Sequence, residues 1–477
     1  MDLESGAGLL HRLTSYVPDR DWDQRPDDPR LRHDLIQNDP ATRPPQLKSY
    51  PDGLQVVELP RDLPDLGVSA TSVLAGRLGP RQPLDAAQLG RVLFLGAGIV
   101  RTVERFGQPF VFRASGSAGA RFPLEVYAST RGVAGVPDGV HWYDAARHAL
   151  VQVAPAASGT VTTLVVTGVP WRTGWRYAER GWRHLYWDGG TLLSQLIAAI
   201  ASAGFAPRLR SLFPDAAVRD LVGADGIHEY PLALVSFGDD EPALGSTGPA
   251  ARGDLPPVEM PVCTNAQRAG ERDELGAPWP DGPVLPEVPP SPTLDEVVRH
   301  RGSQRLMDRN RTLSRDLLEW PMAAALRGVD VPHWVAVHGV DDTKAGLYRW
   351  PDLTAPLREA DLRDELLRIA LDQFLAADAA YVAISAAPLA TLDDRTYRDA
   401  QLAAGLVEGR LHLAAYALGA SATGMTFLDS EVPELLGEPD ELATLLFTCV
   451  GVPAYRSRPG GRPGSPAAIR QVQPRLG

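Results

Sequence analysis

Two arginines that flank a serine form the segment of this chain with the clearest binding chemistry. They lie in RHRGSQRLMDR (299–309), where Arg301, Ser303 and Arg305 alternate. An extended backbone would place the three side chains on one face. Two guanidinium groups beside a hydroxyl match the oxygens of a phosphate dianion, because arginine offers forked, charged donors. The segment therefore indicates a phosphate site, although a solvated basic stretch would have the same composition.

A run of small residues at 116–119 (GSAG) is a second candidate ligand contact. It lies within FRASGSAGARFPLEVY (112–127), just before a strand-like stretch. The first hypothesis is a phosphate-binding P-loop, but neither the lysine nor the GxxxxGK[ST] spacing is present. Small side chains still allow a ligand to approach the backbone closely. The segment is therefore interpreted as clearance for a bound group.

Other motifs that carry chemistry are incomplete. FLGAGIV (94–100) lacks the third glycine of a dinucleotide-binding fingerprint and follows a helix-like run. His333 and His338 are five residues apart on a predicted strand, where odd spacing places them on opposite faces and argues against a metal site. The sequence contains no HExxH motif, no GxSxG motif and no Cys/His pairing, so no motif indicates hydrolase chemistry.

Composition narrows the class of protein. The 477 residues are 44% hydrophobic and 22% charged, as in ordinary globular proteins. A net charge of −12 lacks the basic footprint of a nucleic-acid binder. Cys263 and Cys449 form no CxxC pair, which argues against a disulfide framework or a zinc knuckle. No signal peptide or long apolar run is recognised, so we expect a cytoplasmic protein without a membrane partner.

The chain divides at a proline-rich segment. Residues 239–292 hold twelve of the 43 prolines and show no apolar periodicity, which predicts a linker or a draped loop. The sequence thus predicts a lead-in over 1–60, a first half over 61–238 and a second half over 293–477.

The two halves look like distant copies of one unit. PDGVHWYDAARHAL (137–150) parallels KAGLYRWPDLTAPL (344–357), and the apolar helix and turn at 189–223 parallel those at 404–437. The corresponding residues are about 210 positions apart in both cases, and the order is kept. Chance similarity of two alanine- and leucine-rich helices is the alternative, but the ordered pairs favour duplication.

Helices and strands alternate without a strict βαβ rhythm. Asp85 and Thr293 are placed to cap helices, and Gly204 and Gly419 to end them. Stretches such as TTLVVTGV and YPLALVSFG read as short strands. The expected fold class is α+β.

These segments together resemble the nitroreductase superfamily, and within it the SagB-type, thiazoline-oxidase-like dehydrogenases that mature ribosomal peptides. RGSQR resembles the family's Arg-x-Ser-x-Arg phosphate element. GSAGARFPLE (116–125) resembles its Pro-Ser-x-Gly loop and following strand, with Gly116 in place of proline. GASATGMTFLDSEVPELLG (419–437) resembles the stretch over the flavin ring, and GVPAYRSR (451–458) the closing phosphate-binding strand. HRLTSY and LKSYPDGLQVVELP resemble the lead-in of the subfamily.

The resemblance implies two nitroreductase-like units that form a pseudo-dimer within one chain, with FMN between them. The first half keeps the small-residue loop but only Arg77 of the phosphate element, and the second half keeps the reverse, which implies one composite FMN site. The cofactor-binding residues so implied are Arg301, Ser303, Arg305, Ser117, Ala118, Gly119, Thr423, Gly424, Arg456 and Arg458.

Azoline oxidases of this family carry a Lys-Tyr pair near the flavin, and WRYAERGWRHLYWDGG (175–190) matches that place. Tyr177 is retained and Arg176 replaces the lysine, which makes this pair the catalytic candidate. Tyr177 would act as a base if a neighbouring cation lowered its pKa, whereas Arg176 supplies charge but moves no proton. Arg180 and Arg183 have either a catalytic role or a structural one. In the structural role they would pack beside tryptophans or pair with Glu179.

The implied function is an FMN-dependent dehydrogenase or oxidase that desaturates a peptide or a peptide-derived small molecule, with oxygen reoxidising the flavin. A flavin-binding or flavin-free structural subunit of a peptide-maturation complex is one alternative. An NAD(P)H-dependent nitro or quinone reductase is another, because the fold supports both directions of hydride flow. Partners would be the substrate, other enzymes of such a complex and a second copy of the chain.

Overall fold

The computed structural model describes residues 1–18, 27–105, 108–255, 257–438 and 442–457. The helices are α1 (Gly6–Thr14), α2 (Ala70–Leu74), α3 (Ala86–Ala97), α4 (Pro170–Tyr177), α5 (Gly181–Ser202), α6 (Asp215–Val222), α7 (Pro261–Ala269), α8 (Leu294–His300), α9 (Asp316–Ala325), α10 (Arg363–Ile369), α11 (Phe374–Asp378), α12 (Asp394–Ala417) and α13 (Val432–Leu436). The strands are β1 (Val56–Glu58), β2 (Ile99–Arg105), β3 (Gln108–Arg113), β4 (Leu124–Thr130), β5 (Gly139–Asp144), β6 (Ala149–Ala154), β7 (Thr163–Gly168), β8 (Arg208–Arg210), β9 (Tyr230–Ser236), β10 (His333–Val337), β11 (Gly346–Arg349), β12 (Arg358–Glu359), β13 (Tyr381–Pro388), β14 (Ser421–Met425) and β15 (Leu442–Gly451). The mixture of helices and sheets confirms the α+β class.

Two antiparallel sheets repeat one strand order. In the described part of the chain the first sheet runs β1-β6-β5-β4-β7-β9-β8 and the second β12-β11-β10-β13-β15-β14. Without β1, each sheet has six strands. When these are numbered one to six along the chain, both sheets have the spatial order 3-2-1-4-6-5. β2 and β3 form a separate hairpin. The long helices α5 and α12 have equivalent positions in this order, because α5 follows β7 and α12 follows β13, the fourth strand of each set.

The long helices α5 and α12 pack against each other at glycines. A Cβ at Gly190 would overlap the backbone nitrogen of Leu406, and one at Gly405 would overlap the backbone oxygen of Trp187. The helices are also joined by side chains, since Trp187 Nε1 donates to Oε1 of Gln401 over 2.6 Å. A single apolar cluster includes residues of both helices and of both sheets. The core is therefore shared between the halves.

Helix ends that were predicted from a capping residue or a terminal glycine are confirmed. Asp85 accepts the backbone N–H of Gln88 over 2.8 Å, and Thr293 accepts that of Glu296 over 3.2 Å. Gly204, which follows α5 and its C-cap residue, has a positive φ of 79°, which glycine adopts without a steric penalty.

The predicted lead-in and linker contribute regular structure. β1, inside 1–60, pairs antiparallel with β6 and so belongs to the first sheet. The segment 239–292, predicted as a linker or a draped loop, contains the helix α7. Pro261 does not prevent this helix, because it stands at the first helical position, where its missing N–H costs no hydrogen bond. Among the described residues, no helix is long and apolar enough to cross a membrane.

Candidate cofactor and active site

The small-residue loop of the first half and the arginine segment of the second half are in direct contact. Arg301 follows the end of α8 with an extended backbone (φ −63°, ψ 154°), and its Nη2 donates to the backbone oxygen of Ala114. A Cβ at Gly116 would lie 3.9 Å from Nη1 of Arg301. Two segments that are 185 residues apart in sequence (301 − 116) are thus in contact.

Arg301 is a buried cation with spare donor capacity. Its exposed fraction is 3%, and its Nε has no hydrogen-bond partner among the described residues. Burial lowers the pKa of Arg301, and the charge of Glu408 opposes that shift. A buried guanidinium without a carboxylate at ion-pair distance, within the described residues, is stabilised by any anion that reaches it.

The rest of the predicted phosphate element lines the same region. Ser303 and Arg305 are half-buried. Arg305 lies close enough to Tyr177 for its charge to oppose the rise that burial causes in the pKa of Tyr177. Ser457 is buried beside the element and donates to the backbone oxygen of Gly302 over 3.2 Å. Arg456 is exposed, and the predicted contact at residue 458 lies outside the described residues.

Thr423 and Gly424 of β14 lie against α12 on the second half's side of the site. Thr423 is buried, and a Cβ at Gly424 would lie 3.1 Å from Oε1 of Glu408. Glu408 in turn accepts a hydrogen bond from Thr191 of α5 and lies 3.5 Å from Nε2 of His412. Polar side chains of α5 and α12 are therefore in contact next to β14.

Asp188 of α5 holds the small-residue loop. Its Oδ2 accepts the hydroxyl of Ser117 over 2.6 Å, and its Oδ1 accepts the backbone N–H of Ala118 over 2.9 Å. Ser117 also accepts the N–H of Phe122 over 2.8 Å. Burial raises the pKa of Asp188 to about 7, although both hydrogen bonds act against the rise. The hydroxyl of Ser117 and the N–H of Ala118 are therefore engaged by Asp188 rather than open to a ligand.

Sequence reasoning missed Asp188. A signal did exist, because Asp188 is the one acidic residue in the 22 residues of α5, and its helical neighbours are largely apolar. A lone carboxylate in a buried helix needs polar partners inside the protein. The sequence does not say which partners, because these are 70 residues away.

Gly119 brings the loop against the catalytic candidates. Its φ of +57° lies in the left-handed region, and a Cβ there would lie 2.7 Å from Oη of Tyr177 and 2.7 Å from Cδ of Arg176. The structure therefore places the predicted small-residue loop and the predicted Arg-Tyr pair side by side.

Tyr177 ends α4 and stacks on His184, with ring centroids 4.2 Å apart and planes 25° from parallel. Burial raises the pKa of Tyr177, and the charge and hydrogen bond of Arg176 oppose the rise only in part. The condition under which Tyr177 would act as a base, a pKa lowered by a neighbouring cation, is therefore not met, because the desolvation of the phenolate outweighs the cation. The raised pKa keeps the Tyr177 phenol protonated at neutral pH.

Arg180 and Arg183 form buried ion pairs away from Tyr177. Their Nη1 atoms donate to the two carboxylate oxygens of Asp429, over 2.7 and 2.6 Å. Each also donates to a backbone oxygen of α1. Burial raises the pKa of Asp429, but the two guanidinium groups outweigh it and lower the value to about 2. Of the two predicted roles the structure shows pairing, and the partner of both arginines is Asp429.

Comparisons with known proteins agree with this architecture. No protein-family model matches the chain. A protein of Methanocaldococcus jannaschii described as a candidate nitroreductase is 29% identical over an alignment of 196 positions, and the match covers 37% of this chain and 94% of that protein. The structure of a candidate nitroreductase from Anabaena variabilis covers 94% of this chain and 99% of its own, with a TM-score of 0.72 and 24% identity. An FMN-dependent nitroreductase from Clostridium difficile covers 33% of this chain with a TM-score of 0.24.

The chain therefore has a nitroreductase-like fold over nearly its whole length. Part of its sequence is also similar to a protein described as a candidate nitroreductase.

Proposed function

We propose that this chain is an FMN-dependent oxidoreductase that binds one FMN between its two halves. The observation that carries the proposal is the contact of Arg301 with the backbone of Ala114. It joins a cation suited to phosphate with a loop whose small residues leave room for a flat ring. The name of the similar Clostridium difficile protein supports FMN as the cofactor.

The two halves are proposed to be a fused pseudo-dimer. The repeated strand order, the matching positions of α5 and α12 and their contact at Gly190 and Gly405 support this origin. In a fused pair the sequences of the two halves can change independently, because every chain contains one copy of each half. One composite site then needs the phosphate element from one half only.

The described residues fit FMN. Arg301, Ser303 and Arg305 would hold the phosphate, Gly116 would leave clearance for the ring, and Gly119 lets the loop lie against Tyr177 and Arg176. Bound FMN would supply a ring that accepts or donates a hydride. Arg301 is anchored on Ala114, which fixes the distance between the phosphate contact and the loop.

The first candidate reaction is desaturation of a peptide or a peptide-derived molecule, of the azoline-to-azole type. Its support is the sequence resemblance around Tyr177 and Arg176. The pKa of Tyr177 bears on the proton step: a phenol whose pKa is raised binds its proton tightly and is a poor base at neutral pH.

Reduction of a nitro or quinone acceptor is the second candidate, and the same phenol favours it. Such a reduction builds negative charge on an acceptor oxygen, and a protonated Tyr177 beside Arg176 can donate a hydrogen bond to that oxygen. The described similarities to candidate nitroreductases support this direction as well.

Anaerobic titration of the FMN-loaded protein separates these functions. Bleaching of the visible flavin band by an azoline-containing peptide supports the dehydrogenase. Bleaching by NADPH, with colour restored by nitrofurazone or menadione, supports the reductase. A protein that takes up no added FMN is neither enzyme, and a structural subunit would then be the function.

A further inference from the structure

A cleft of about 360 Å³ lies at the counterpart of the candidate site. Arg208 of β8 and Ile197 of α5 line the cleft. With the offset of 215 that relates Gly204 to Gly419, the equivalent residues of the second half are Thr423 of β14 and His412 of α12. Arg327 also lines the cleft and follows α9, just as the small-residue loop lies between α3 and β4 in the first half. The cleft therefore occupies the second site position of the pseudo-dimer.

The cleft is lined mostly by apolar residues, and the carboxylate among its lining residues, Asp281, pairs with Arg208. Two further guanidinium groups face the cleft without a carboxylate partner among the described residues. Arg410 Nη1 donates only to backbone oxygens, those of Ala325 over 3.0 Å and Arg327 over 2.6 Å. Arg327 Nε donates to the backbone oxygen of Pro283 over 2.7 Å. Among the described residues neither guanidinium makes an ion pair, whereas Arg208 pairs with two aspartates.

Burial adds to the case for an anion. Burial and the charge of Arg327 together lower the pKa of Arg410 to about 10, and Asp281 opposes both effects. Two like charges that share a partly desolvated cleft repel each other. An anion between them would remove that repulsion and accept their remaining donors.

The predicted linker closes one side of the cleft and limits what enters it. Trp279 lines the cleft and donates from Nε1 to Ser211 over 2.8 Å. The backbone at Gly282 runs so close to Gly328 that a Cβ at Gly282 would overlap the nitrogen of Gly328. The remaining volume is near the lower end of the range for small-molecule pockets, about 300–1,000 Å³.

Of the phosphate element only Arg77 is present in the first half, and its Nη2 donates to the backbone oxygen of Pro286 over 3.0 Å. We propose that this cleft is a second binding site, for a small aromatic monoanion such as an aryl carboxylate or aryl sulfonate. Arg327 and Arg410 would bind the anionic group, and Ile197, Leu406 and the Trp279 ring would contact the aromatic body. The proposal goes beyond the FMN site and does not require that site to be active.

The probe pair is 8-anilinonaphthalene-1-sulfonate and its neutral relative N-phenyl-1-naphthylamine, titrated calorimetrically into the FMN-saturated protein. We expect the sulfonate to bind at one saturable site and at least tenfold more tightly than the neutral probe. Arg410→Met should weaken the sulfonate at least tenfold and leave the neutral probe unchanged. Arg147→Met, which removes an exposed arginine paired with Glu58, is the matched control and should leave both unchanged.

Ala206→Trp is the second variant, because Ala206 is a half-buried residue on the cleft wall and its replacement fills the cleft without removing a charge. It should abolish binding of the sulfonate while circular dichroism and FMN content stay as in the wild type. Equal binding of both probes, binding unaffected by Arg410→Met and Ala206→Trp, or displacement of the sulfonate by excess FMN would each overturn the proposal. Failure of FMN uptake would instead count against the proposed function, and the sulfonate titration would still report on the cleft.

Discussion

Gly119 is the residue at which the candidate site is most sensitive to added volume. In Gly119→Ala the new Cβ would meet Tyr177 and Arg176 at 2.7 Å, and the backbone would stay in a left-handed conformation. We expect this variant to lose most of its FMN affinity, measured by fluorescence quenching on titration with FMN.

Gly437→Ala is the matched control for that substitution. Gly437 has a similar φ of +67° but no atom within 4 Å of the added Cβ. Its backbone penalty, about 1 kcal/mol, is therefore the same without the clash. Equal FMN affinities in the two variants would show that Gly119 does not border the flavin.

Asp188 should make the stability of the fold depend on pH. Burial raises its pKa from 3.8 to about 7, so the native state binds more protons than the unfolded state between those values. The free energy of unfolding therefore falls as pH rises from about 4 to 7, by at most about 1.4 kcal/mol per pH unit from this group. Urea unfolding across that range should show a smaller fall in Asp188→Asn than in the wild type. Parallel curves for the two proteins would contradict the assignment.

At the scale of elements, the close contact of α5 and α12 determines whether the site exists. Gly190→Ala would push a Cβ into the backbone of α12, at Leu406. We expect a loss of about 1–3 kcal/mol in the free energy of unfolding, as for other overpacked cores, together with weaker FMN retention. Both quantities come from urea unfolding and from the flavin content of the purified protein.

The neighbouring glycine provides the control for this contact. A Cβ at Gly189 would lie 3.4 Å from Cδ1 of Leu402, which is ordinary van der Waals contact. Gly189→Ala should therefore be neutral or raise stability by up to about 1 kcal/mol, because alanine favours a helix. Equal destabilisation by both substitutions would mean that the helices do not touch at Gly190.

The ion pairs of Asp429 join α1, α5 and the segment before α13. Asp429→Asn leaves Arg180 and Arg183 buried without their carboxylate, which costs about 3–5 kcal/mol in comparable cases. The pKa of Asp429 is lowered from 3.8 to about 2, so its contribution is complete above pH 4 and is lost as pH falls through 2. Thermal unfolding at pH 7 should show the deficit, with Glu4→Gln, which removes an exposed carboxylate, as the control. Equal melting temperatures would contradict the pairing.

Elements with local signals could be predicted from the sequence, and contacts over long range could not. The caps at Asp85 and Thr293 depend on residues three positions on, which the sequence displays directly. The loop at 116–119 was found from its small residues alone. Its anchoring by Asp188 depends on how α5 passes beneath it, and the burial that raises the pKa of Tyr177 depends on the whole surrounding fold.

At the scale of the molecule, each half contributes what the other lacks. The loop at 116–119 and the segment at 301–305 meet on one side of the α5–α12 pair. At the proposed counterpart position the linker, Arg327 and Arg410 lie around a cleft instead. The proposed pseudo-dimer would therefore have two site positions, of which one carries the residues proposed to bind FMN.

The ratio of FMN to protein tests this central claim most directly. The chain should be saturated with FMN, freed of excess by gel filtration and denatured, and the released flavin and the protein should then be quantified separately. The account predicts one FMN per chain in the wild type and a loss of that FMN in Arg301→Met. Two FMN per chain, or one that is unaffected by Arg301→Met, would contradict it.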